Sequence, residues 1–121
     1  IIECGGRMGG DCIGSDLVYI SRGIDYVAAC VDIACGRAPD LRVRQSSRIA
    51  AIRFIFCQED MNDLDFIRRN YPESIYHVSE ILPMDGREIS DSSTRYGFYI
   101  LSAETMEKMT EILSHVDFDL N

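Results

Sequence analysis

Near its start the chain reads IIECGGRMGGDCIGSD. Glu3 closes a short apolar run, Arg7 follows past two glycines, and Gly9, Gly10 and Asp11 come next. A carboxylate at the end of a strand is an oxygen ligand for a hard cation. Magnesium favours one or two carboxylates together with phosphate oxygens and water. An arginine four residues further on can turn back toward the same anion, where its planar fork matches phosphate or carboxylate. Glycines let backbone N–H groups approach oxyanions with no Cβ in the way. A helix expected to begin near Ser15 or Asp16 adds the positive end of its dipole. The stretch therefore suits magnesium-bound phosphate beside an acidic group. The same residues also suit a glycine-rich surface loop in which Glu3 pairs with Arg7.

The elements that must hold this loop can be read from the pattern. IIEC is a short strand of β-branched residues, and GGRMGGDCIG is a loop. SDLVYISRG reads as a short helix ending near Gly23, capped by Ser15 or Asp16. IDYVAACVDIACG reads as a second helix. Ile24, Val27, Cys30 or Val31 and Ala34 fall at helical spacing, and Gly36 stands where a C-terminal cap belongs. Residues 1–37 form the first part, and the Pro39-containing stretch 38–47 is a connector. The lone strand of the first part has few partners within the chain, so residues upstream of Ile1 are expected.

Residues 48–121 hold the second part, read as β-α-β-β-α, so the expected class is α+β. RIAAIRFIFC is a nearly continuous apolar run, the mark of a strand covered on both faces. QEDMNDLDFIRRN starts with acids and ends with Arg68 and Arg69, matching the helix dipole, with Met61, Leu64 and Ile67 as its stripe. SIYHVSEIL is a strand, Asp85-Gly86 a turn, REIS a short return strand and DSSTR a polar loop. YGFYILS is a strand in which Gly97 implies a bulge or a close backbone approach. A last helix is expected over 103–115, capped by Ser102, with Met106, Met109, Leu113 and Val116 as its apolar stripe. That stripe reads as core packing, and His77 as a structural histidine.

The first 37 residues resemble the end of an ATP-grasp domain. In that superfamily a late strand carries Glu-x-Asn-x-Arg, often followed by Gly-Gly and two short helices. Here the pattern is Glu-x-x-x-Arg-x-Gly-Gly-Asp, similar to the branch of carboxylate–amine ligases that includes the L-amino acid ligases. The segment from Gly23 to Gly36 is similar to that family's helix of the form G-x-D-x-x-x-x-x-x-D-x-A-x-G. Residues 48–116 match the small C-terminal subdomain by order of elements. Gly5 stands where the common motif has asparagine, a second metal ligand, so a further acid would have to come from upstream.

The resemblance implies that Glu3 binds the catalytic Mg2+ (or Mn2+), and that Arg7 contacts phosphate or an acyl phosphate as the catalytic arginine. It implies that Gly9, Gly10 and Asp11 close over the carboxylate substrate. ATP would phosphorylate a small carboxylate, and an amine would displace phosphate to give an amide. Metal and arginine would stabilise charge on the transferring phosphoryl group. The lysines and hinge residues that hold ATP would lie upstream, so the fragment alone is expected to be inactive. Arg95, in DSSTRYG, either belongs to a solvated loop or reaches the substrate groove. The alternatives are a carboxyphosphate-forming enzyme, like biotin carboxylase or carbamoyl-phosphate synthase, and a non-catalytic assembly module.

The totals agree with a one-domain length of 121 residues, enough for a core without staples. There is no apolar run of membrane-spanning length and no secretory leader pattern, so a cytoplasmic protein without membrane contact is expected. The five cysteines lack a Cys-x-x-Cys pair and read as reduced, mostly buried thiols. The net charge is −8. Residues 1–57 hold seven arginines against six acids, whereas 58–121 hold five basic residues against fourteen acids. The acidic half argues against nucleic acid as a partner, while the arginine-rich half suits a small polyanion such as a nucleotide. A homo-oligomer is compatible with this composition.

Overall fold

A computed structural model of the chain describes residues 7–43 and 48–116. They fall into two compact units with the boundary between Arg48 and Ile49. Among the described residues there are four α-helices and one three-stranded antiparallel sheet, an α+β arrangement. The expected strand IIEC lies outside the described residues.

The first unit is helical. A π-helical turn, Ile13–Leu17, runs directly into α1 (Val18–Arg22), which Gly23 ends in the left-handed conformation at φ 67°. The helical stretch thus begins earlier than expected. Cys12, with φ 60°, is its first cap, and Ser15 and Asp16 lie inside the turn with the Ser15 hydroxyl donating to Asp16. The α2 helix (Tyr26–Ala34) starts where Asp25 accepts a hydrogen bond from the Ala28 N–H at 2.8 Å. It ends with Gly36 at φ 71°, the cap position read from the sequence. The apolar stripe read for α2 is not its buried face. Ala29 is buried, whereas Val27 and Val31 are exposed. Helical spacing alone cannot orient a helix that is apolar on nearly every side.

The second unit follows the expected order. Strand β1 (Ile49–Ile55) leads to α3 (Gln58–Asn70), a short 3-10 turn (Pro72–Ser74), β2 (Ile75–Val78), β3 (Gly97–Ala103) and α4 (Met106–Ser114). β3 is central, so both neighbours are edge strands. β1 is therefore half-buried along most of its length instead of covered on both faces. Arg53 in its middle breaks the apolar run, as suits an edge.

Pleating sends Ile49, Ala51 and Ile55 to the same face as Tyr99, Leu101 and Ala103, their neighbourhood in the β1–β3 register. Against that face pack Leu64 and Ile67 of α3 and Met109, Ile112 and Val116, at or just beyond α4. Ile75 and Val78 both join this core although they are three residues apart. A register shift between Ile75 and His77 makes that possible, since strict alternation would place them on opposite faces.

Local chemistry explains the helix ends. Asp60 accepts from the Phe56 and Cys57 N–H groups at 2.8 and 3.1 Å and closes the start of α3. Thr105, not Ser102, caps α4, accepting from Lys108 N–H at 3.2 Å. Ser102 is still in β3, so the helix starts later than its sequence pattern indicates. Its stripe is correspondingly shifted: Met109, Ile112 and Val116 are buried and Met106 is exposed. No return strand forms at REIS. Instead Ser79 and Leu82 donate backbone hydrogen bonds to Phe98 and Tyr96 alongside β3, and the following residues turn at Gly86 with φ 74°.

The expected burial of the cysteines is not found. Of the four described, Cys12 and Cys30 are half-buried and Cys35 and Cys57 exposed, all as free thiols. A helix apolar on several sides and a strand-end position both looked internal but lie at the surface. Among the described residues no helix is long and apolar enough to cross a membrane.

Candidate functional site: an arginine and glycine loop

The loop from Arg7 to Ile13 is built as a tight turn. Ile13 N–H donates to Gly10 carbonyl at 3.0 Å, and the two residues between, Asp11 and Cys12, have φ of 50° and 60°. Positive φ at both central positions is the pattern of a type I′ turn. Aspartate tolerates that conformation better than most residues. The glycines are therefore not the left-handed residues here; Asp11 and Cys12 are.

What the two glycines supply is space. A Cβ on Gly9 would stand 3.1 Å from the Ile13 side chain, so Gly9 is held by packing inside the loop. A Cβ on Gly10 would meet nothing within 4 Å. The backbone at Gly10 is bare toward solvent with no packing reason for it. Asp11 is exposed next to it.

Arg7 lies at the near end of the loop and is exposed. Its Nη1 donates to the Met8 carbonyl at 3.2 Å, and it forms no ion pair among the described residues. Four sequence-derived candidates, Arg7, Gly9, Gly10 and Asp11, thus share one short loop. Glu3, the proposed metal ligand, and Gly5 lie outside the described residues. Among the described residues no three His, Cys, Asp or Glu side chains converge as a metal site.

Arg95 belongs to the second unit. Its guanidinium lies 3.8 Å from the centre of the Phe54 ring, a cation–π contact that holds it half-buried over β1. The loop before it is closed on itself. Asp91 accepts from the Ser93 N–H at 2.7 Å and the Ser93 hydroxyl at 2.6 Å. The Ser93 hydroxyl, followed by its N–H, holds the Asp91 carboxyl below the usual range. His77, exposed on β2, faces Phe98 at 5.9 Å.

Residues that sequence reasoning did not assign to a site line a cavity of about 520 Å³ in the first unit: Tyr19, Gly23, Asp25, Ala28, Ala29, Asp32 and Asp40. Its carboxylates are engaged by their own chain. Asp25 caps α2, Asp32 pairs with Arg37 and Asp40 with Arg42, each ion pair at 2.8 Å. Gly23, Asp25 and Asp32 are positions of the helix pattern quoted above. Their seven-residue spacing, two helical turns, was the signal that could have placed both aspartates on one face. Compared with protein families, curated proteins and solved structures, the chain matches none of them.

Proposed function

We propose that this chain is the C-terminal part of a cytoplasmic ATP-dependent carboxylate–amine ligase of the ATP-grasp type, inactive when isolated. The observation that carries the reading is Gly10. Neither its φ nor its packing requires glycine, and it lies three residues from an exposed arginine free of ion pairs among the described residues. A bare backbone beside a guanidinium that no described residue neutralises is what an incoming oxyanion needs.

In this reading a substrate carboxylate oxygen attacks the γ-phosphorus of ATP, the bond to the β,γ-bridging oxygen breaks, and ADP leaves. The amine nitrogen then attacks the acyl carbon, phosphate departs with the bonding electrons, and the amine's proton passes to solvent or a base. Arg7 places its fork on the transferring phosphoryl group, where charge builds up. Gly9, Gly10 and Asp11 close over the carboxylate. Glu3 would hold Mg2+, which supplies charge neutralisation on the phosphate oxygens.

The test uses the full-length protein with ATP, Mg2+, a panel of small carboxylates including the amino acids, and hydroxylamine as trapping amine. The reading requires ADP release together with a hydroxamate from at least one carboxylate. Bicarbonate-dependent ADP release without any hydroxamate would instead indicate a carboxyphosphate enzyme, and no ADP release would leave a non-catalytic module.

A further inference from the structure

Gly14 is buried in the π-helical turn, between the exposed Ile13 and Ser15. A Cβ there would clash with Met8 Cγ and Sδ and stand 3.4 Å from the Tyr26 ring. The Met8 side chain therefore lies directly on the Gly14 backbone, and the Tyr26 ring of α2 lies close to the same point. Gly14 itself has no positive φ, so this contact is the reason for glycine.

The contact closes a small ladder. Met8 meets Gly14, Gly9 meets Ile13, and Gly10 accepts from the Ile13 N–H. Arg7 is the residue immediately before its first rung, and the hydrogen bond from its guanidinium goes to the Met8 carbonyl. Fixing Met8 fixes both the Arg7 main chain and the acceptor for its side chain.

We propose that Gly14 is a positioning residue for Arg7, acting through Met8: it provides the seat that sets where the guanidinium meets a phosphoryl group. The inference rests on the ligase reading. Any side chain at position 14 must drive the Met8 side chain from this seat, which loosens the turn that carries Arg7. Methionine can bend away, since its side chain is flexible, so the expected damage falls on the loop more than on the fold.

The experiment measures hydroxamate formation by the full-length protein carrying Gly14→Ala, Met8→Ala, both, or Arg7→Ala, with thermal unfolding recorded for each. A displacement of the order of 1 Å at a reacting group costs roughly a hundredfold in rate. Gly14→Ala should lower kcat by about that factor with little change in KM for ATP, because a transition-state contact is lost and ground-state binding is kept. Met8→Ala should lower kcat without introducing a clash. The double variant should regain part of what Gly14→Ala alone loses, because the alanine methyl enters the space Met8 vacates. A purely structural role would instead lower the unfolding temperature and leave kcat of the folded fraction intact. Arg7→Ala separates the two ideas. If it leaves turnover intact, the ligase reading fails. If it abolishes turnover while folded Gly14→Ala keeps wild-type kcat, the positioning proposal alone is overturned. Should Gly14→Ala fail to fold, an unchanged kcat in Met8→Ala overturns it.

Discussion

The Ser79 hydroxyl occupies the space that a side chain on Gly97 would need: its Oγ is 3.0 Å from the position a Cβ would take there. Ser79 grips the neighbouring Phe98 twice. Its N–H donates to the Phe98 carbonyl at 3.0 Å, and its Oγ accepts from the Phe98 N–H at 2.9 Å. This extends the pairing of β2 and β3 one residue past the end of β2. The Glu80 carbonyl, 3.2 Å from the same point, closes the other side.

Gly97→Ala should therefore destabilise the second unit by about 1–3 kcal/mol, the usual cost of forcing a methyl into filled space. Urea unfolding followed by circular dichroism measures it. A neutral substitution would show that the sheet edge yields, and that the close approach is not what requires glycine.

Tyr99 gives a pH-dependent expectation. It is fully buried in the core, and its hydroxyl makes no hydrogen bond among the described residues. Burial pushes its pKa up to about 12, with nearby Arg53 opposing and Asp63 assisting. In the unfolded chain a tyrosine titrates near ~10. A folded pKa above the unfolded one means that this contribution to stability is complete below pH ~10. It is lost as pH rises from there through about 12. Tyr99→Phe removes a buried hydroxyl that lies near Arg53 but makes no hydrogen bond of good geometry among the described residues, so near neutral pH it should change stability by no more than about 1 kcal/mol. It should also flatten the alkaline fall in stability relative to wild type. Parallel profiles for the two proteins would mean that the phenol is hydrated or hydrogen-bonded in solution.

The cysteines should differ in reactivity. Cys35 is exposed, whereas Cys12 is half-buried, and burial, then the charge of Asp16, pushes its thiol pKa up. Alkylation follows thiolate content and access. Iodoacetamide labelling followed by peptide mass analysis should therefore modify Cys35 well before Cys12. The reverse order would contradict the packing of the π-helical turn.

Much of the second unit was legible because its signals were local and mutually consistent. The acids and arginines at the two ends of QEDMNDLDFIRRN, with Leu64 and Ile67 between, define α3 without reference to the rest of the chain. The apolar run YGFYILS identified β3, and Gly97 marked the close approach to Ser79. The start of α4 was misread because Ser102 and Thr105 are both good caps, and only strand pairing keeps Ser102 in the sheet. The exposed face of α2 was unreadable for a different reason. Tyr26, Val27, Val31 and Ile33 give it no polar side to face water.

In the candidate loop, residue types were legible and roles were not. Glycine at 9 and 10 suggested backbone open to an oxyanion, but the left-handed positions belong to Asp11 and Cys12, and Gly14, outside the motif, carries the closest packing. Contacts between residues six apart in a turn have no periodicity to announce them. The candidates Gly10 and Arg7 were found by chemistry, since oxyanions need bare backbone and fixed positive charge.

The most direct test of the ligase reading is the turnover of the full-length protein with Arg7 replaced by alanine, compared with wild type under saturating ATP and Mg2+. Loss of a transition-state phosphoryl contact of this kind lowers kcat by roughly 10²–10³-fold, and Arg7→Lys should recover only part because a point charge lacks the planar fork. Wild-type kcat in a folded Arg7→Ala protein would contradict the account.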